Sequence, residues 1–85
     1  MDFYSLSDKA IADELGRRLR ALRLRRNITQ QALAEATTLS LNSIKALESG
    51  KGKLASVIAV LRELRALDEL DSFISEPGIS PLNIW

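Results

Sequence analysis

Cysteine and histidine are both missing from this 85-residue chain. Their absence removes disulfides, thiolate nucleophiles, imidazole acid–base catalysis and the usual zinc ligands in one step. Proline and glycine are scarce, at two and four residues, and aromatic residues make up only 5%. No long alternating β-branched run is present either, so with 46% hydrophobic residues the chain reads as mostly α-helical. There is no secretory leader and no run of eighteen apolar residues, which makes a cytoplasmic location without a membrane partner the expectation. A nucleophile paired with a base, a carboxylate cluster and a phosphate loop ending in Lys-Ser or Lys-Thr are lacking as well. Gly50-Lys51-Gly52-Lys53 is too short for such a loop and has no strand before it. Neither an enzyme, a metal site nor a cofactor is expected.

What is present fits one domain, able to bury roughly 60–65% of its unfolded surface. The net charge of +1 averages two opposite regions. Residues 16–54 carry nine Lys or Arg against Glu35 and Glu48, a balance of +7 that leaves −6 for the rest of the chain. Such asymmetry suits a domain that turns one surface to phosphates and another to something else. Six arginines fall between positions 17 and 26. At 100° per residue they spread around a helix, so some serve the structure and others are merely solvated.

Two short helical patterns meet between Thr29 and Gly50. The first runs from Gln30 to Thr37, with Thr29 as its cap and Ala32, Leu33 and Ala36 as its apolar positions. The second opens at Ser40, buries Ile44 and Leu47, and is closed by Gly50, which suits the left-handed conformation after a helix end. Its outward face holds Asn42, Lys45, Ala46 and Ser49, small and polar residues with Glu48 as the one acid at the far end. That face is shaped for a DNA major groove.

Thr29-Gln30, Leu33-Ala34, a serine opening the next helix, and the ending Ile44-x-x-Leu47-Glu48-x-Gly50 resemble the helix-turn-helix of phage repressors and Cro proteins, the XRE class. The likeness extends from Leu19–Arg23 to about Leu67. It implies a compact all-α five-helix bundle of the repressor type with a central helix-turn-helix. One residue departs from the pattern: Thr38 stands where the family usually places glycine, so either the turn keeps a negative φ or Thr38 is strained.

Around the motif, residues 1–6 form a lead-in and residues 7–74 the DNA-binding domain. A first helix from Ser7 or Asp8 to Arg26 carries Ile11, Leu15, Leu19 and Leu22, and Asn27 suits its left-handed end. A fourth, from about Ala55 to Leu64 or Arg65, offers Val57, Ile58, Leu61 and Leu64 to the core. A last helix, capped by Asp68 and bearing Leu70, Phe73 and Ile74, closes the base. Residues 75–85 are a Pro-rich, extended, apolar tail. Phe73, Ile79, Leu82, Ile84 and Trp85 are the candidates there for contact with a second copy or another protein. The Ser7-Asp8-x-Ala10 start, the compact bundle, and the acidic last helix with its Pro-rich apolar tail, Asp68 to Trp85, also resemble the antitoxin-repressors that pair with HipA-type kinase toxins.

The first resemblance implies roles residue by residue. Leu41, Asn42 and Ala46 match base-reading positions, and Lys45 stands beside them with reach to guanine or a phosphate. Gln30 matches a phosphate contact, and Ser43, Ser49, Lys51 and Lys53 are read as further ones. Arg23 and Glu48 match a partly buried ion pair that locks the first helix to the recognition helix. The bland alternative for each contact is a solvated helix surface. The partners implied are double-stranded DNA bearing an inverted repeat, a second copy of the chain as a homodimer, and a HipA-type kinase toxin. From another class, the chain would be a protein-interaction module on a helix-turn-helix scaffold with little affinity for DNA.

Overall fold

A computed structural model describes residues 1–74 and 76, and among them every regular element is helical. A 3₁₀ turn at Phe3–Ser5 leads into α1 (Asp8–Arg25), α2 (Gln30–Thr37), α3 (Leu41–Glu48), α4 (Leu54–Glu63) and α5 (Glu69–Phe73). Apart from Glu76, the expected Pro-rich tail, with Ile79, Leu82, Ile84 and Trp85, lies outside the described residues.

Local chemistry starts the first three helices. Ser7, Thr29 and Ser40 each accept a bond from the backbone N–H three residues on, at Ala10, Ala32 and Ser43. The helix ends are equally local. Asn27 (φ 58°), Gly50 (φ 84°) and Arg65 (φ 57°) each take the left-handed conformation. In each case two reversed bonds close the helix: Ile28 N–H to Arg23 O, Lys51 N–H to Ala46 O, and Ala66 N–H to Leu61 O, each with a tighter bond inside it. Thr38 is left-handed too, at φ 59° and ψ 20°, so the interhelical turn does not keep a negative φ. Asp68 stands at the N-cap of α5 but makes no side-chain cap bond, because its own backbone is already helical.

Leu33, Ala34, Ile44, Leu47, Val60 and Leu64 form the core, with Leu19, Leu22, Ile28, Leu39 and Val57 packed around it. α3 sits against α1 and α2, and α4 closes over α2 and α3. Five expected core positions, on three helices, differ. On α2 the inward residues are Leu33 and Ala34, while Ala32 and Ala36 are exposed. Thr37 completes that face because its hydroxyl donates to Leu33 O at 2.7 Å, which makes a polar residue tolerable there. On α1 the buried residues are Gly16 and Arg23, and Leu15 is left at the edge with 39% exposure. On α5 no residue is buried, and Phe73 and Ile74 are 58% and 76% exposed.

Gly16 explains the seating of α1. A Cβ there would lie 2.6 Å from Gly50 N and 2.7 Å from Glu48 O, so the backbone of α1 rests directly on the end of α3. Only glycine permits that approach.

Candidate nucleic-acid interface

α3 turns Ile44 and Leu47 inward, and helical periodicity then directs Asn42 and Lys45 outward. Both are exposed, and among the described residues neither side chain has a partner. Leu41 and Ala46 are half-buried beside them. The outer surface of α3 therefore offers one free amide, one free ammonium and two apolar groups.

The hydroxyls around this surface are less free. Ser49 Oγ donates to Lys45 O at 2.9 Å, so its only proton is used inside the protein. Ser43 Oγ lies 2.9 Å from Ser40 Oγ, and one of that pair must donate to the other. Beyond Gly50, one backbone amide of the basic loop is already spent inside the protein. Lys51 N–H closes α3 on Ala46 O at 2.8 Å, which leaves the exposed ammonium groups of Lys51 and Lys53 as the cationic feature of that loop.

Glu48 faces inward. Its carboxylate takes Arg23 Nε at 2.6 Å and Nη2 at 3.2 Å, in a bidentate pair whose side chains are only 6% and 7% exposed. Arg23 Nη1 also donates to Ile28 O at 2.8 Å, and no buried polar side-chain atom among the described residues is left without a partner. A third bond reaches the same carboxylate: Gln30 Nε2 donates to Glu48 Oε1 at 3.0 Å. The side chain read as a phosphate contact is thus already held by the protein, a link between residues far apart in sequence that no local pattern signals.

The arginines of α1 separate by role. Arg23 is buried in the pair just described. Arg17 and Arg18 both bind Glu14, at 2.6 and 2.8 Å, and those hydrogen bonds, Arg17's first, hold its carboxyl down to about 2. Arg18 also stacks over the Phe3 ring at 5.3 Å, which ties the lead-in to α1. Arg20, Arg25 and Arg26 are exposed with no partner among the described residues. Among those residues no cluster of metal-ligating side chains occurs, and no helix is long and apolar enough to cross a membrane.

In comparison with known proteins, a family model described as a helix-turn-helix domain matches residues 14–71, from the middle of α1 to within α5. A search of curated proteins finds no match.

Proposed function

The chain belongs to the helix-turn-helix domain family, and from that membership we propose that it is a sequence-specific, DNA-binding transcriptional regulator. One observation carries the reading: α3 exposes Asn42 and Lys45 without intramolecular partners, while Glu48 is turned inward and neutralised by Arg23. In the major groove, Asn42 bonds adenine through N6 and N7, Lys45 reaches guanine acceptors or a phosphate, and Leu41 and Ala46 meet thymine methyls. Lys51 and Lys53 bind phosphates, with Gln30, Ser43 and Ser49 as further contacts. Ser49 contributes only if it releases Lys45 O. Two copies related by a dyad would place their α3 helices ~34 Å apart and read an inverted repeat.

Selection from a pool of randomised duplexes tests this. Enrichment of one motif, with affinity falling steeply between 50 and 200 mM salt, is expected. Failure to enrich any sequence, together with no binding to a mixed-sequence duplex at low salt, overturns the reading.

A finer version makes the chain an autorepressor and the antitoxin of a HipA-type kinase, through Phe73 and the residues after it. The exposure of Phe73 and Ile74 on an acidic helix supports a protein partner at that end. It equally supports the alternative of an interaction module with little DNA affinity. Salt separates the two, since an apolar interface hardly responds to it.

A further inference from the structure

We infer that Glu48 is a positioning residue for DNA, which holds the Gln30 side-chain amide in place to meet a backbone phosphate. The inference rests on the DNA-binding reading above and assigns that site an internal support. A primary amide has two N–H groups. One of Gln30's is spent on Glu48 Oε1 at 3.0 Å, and the other diverges from it in the amide plane. Gln30 is the first residue of α2 and only half-buried, and its side chain is held at one point by Glu48.

A bare carboxylate this close to the contact would repel a phosphate, yet Arg23 meets both oxygens of Glu48, and the pair is neutral as a unit. A phosphate can therefore approach. Glutamine that is free in solution must also surrender its rotamers on binding, whereas one already held does not. Glu48 is moreover the last residue of α3, and Gln30 the first of α2. The backbone grip and the base-reading helix are joined through one carboxylate, so that register on the phosphates is passed directly to the reading surface.

The test is a double-substitution cycle, read by fluorescence anisotropy on the duplex obtained by selection. Arg23→Met with Glu48→Met removes both buried charges together, which folds tolerate far better than orphaning one. In the unsubstituted protein, Gln30→Ala is expected to weaken binding by about tenfold and to leave the salt slope unchanged, because a neutral amide displaces no counterion from its phosphate. In the R23M/E48M background the same change should cost less than about threefold, because the amide is no longer held. Equal losses in both backgrounds overturn the inference and leave the DNA reading intact. Absence of any selected duplex sinks the reading itself. Should R23M/E48M fail to fold, NMR relaxation of the Gln30 side-chain amide in the unsubstituted protein decides: an amide as rigid as the backbone before DNA is added supports the assignment, and a mobile one overturns it.

Discussion

Thr38 shows how much one backbone angle can cost. A β-branched residue at φ 59° is strained by roughly 1–2 kcal/mol, and its hydroxyl offsets part of this by donating to Thr37 O at 2.6 Å. Glycine would relieve the strain but give up chain entropy, about 0.5–1 kcal/mol. Thr38→Gly should therefore raise stability by roughly 0.5–1 kcal/mol, visible as a higher denaturant midpoint at unchanged m-value. A lower midpoint would mean that the hydroxyl bond outweighs the strain. Asn42→Ala belongs to the same scale and acts in the opposite domain. It should leave stability within about 0.5 kcal/mol, since Asn42 has no partner to lose, while costing about 1–3 kcal/mol of discrimination at one base position. Competition titrations with single-base variants of the selected duplex check this. Glu14 gives a pH signature. Its carboxyl is depressed from 4.5 to about 2 by Arg17 and then Arg18, so the contribution is complete above the ordinary carboxylate range and is lost as pH falls from about 4.5 towards 2. An NMR titration of Glu14 should show that low midpoint, and Arg17→Ala should raise it more than Arg18→Ala.

Among the elements, the crossing of α1 over the end of α3 is the most demanding contact. Gly16→Ala would drive a methyl against the backbone of Gly50 and Glu48, neither of which can rotate away, and should destabilise by about 1–3 kcal/mol in thermal or denaturant unfolding. A neutral result would show that α1 can slide. This contact also marks where reading the sequence stops. The caps at Ser7, Thr29 and Ser40 were legible because their chemistry closes within three residues, and Asn27 and Gly50 because a left-handed corner has a residue preference. Gly16 looks locally like a mere weakness in a helix, since its partners lie more than thirty positions away. The inward turn of Ala34 and Thr37 was hidden for another reason: hydropathy counts Thr37 as polar, while the fold satisfies its hydroxyl within α2. At the site, the Arg23–Glu48 pair was expected from family likeness and lies where that likeness placed it. The third bond from Gln30, the spent proton of Ser49 and the occupied amide of Lys51 depend on side-chain and turn geometry, to which residue type alone is blind.

For the molecule as a whole, the charge separation predicts behaviour before contact. A basic region of +7 should steer the chain towards a polyanion, and each phosphate neutralised by a Lys or Arg should steepen the fall of log affinity with log salt by about 0.9. Lys51→Ala should weaken binding to all duplexes alike and lower that slope by one such step. A shift in preference between sequences would instead assign Lys51 to base reading. The connections between helices act at this scale as well. Each junction from α1 to α5 carries a positive-φ residue, Asn27, Thr38 and Arg65 at three of them and both Gly50 and Gly52 between α3 and α4. The tilt at which α3 is presented is thus governed by corner residues outside the set proposed to touch nucleic acid. A substitution at Asn27 or Thr38 would re-aim an unchanged set of reading side chains, so two proteins with identical letters in this helix need not share a target: the joinery is part of the code.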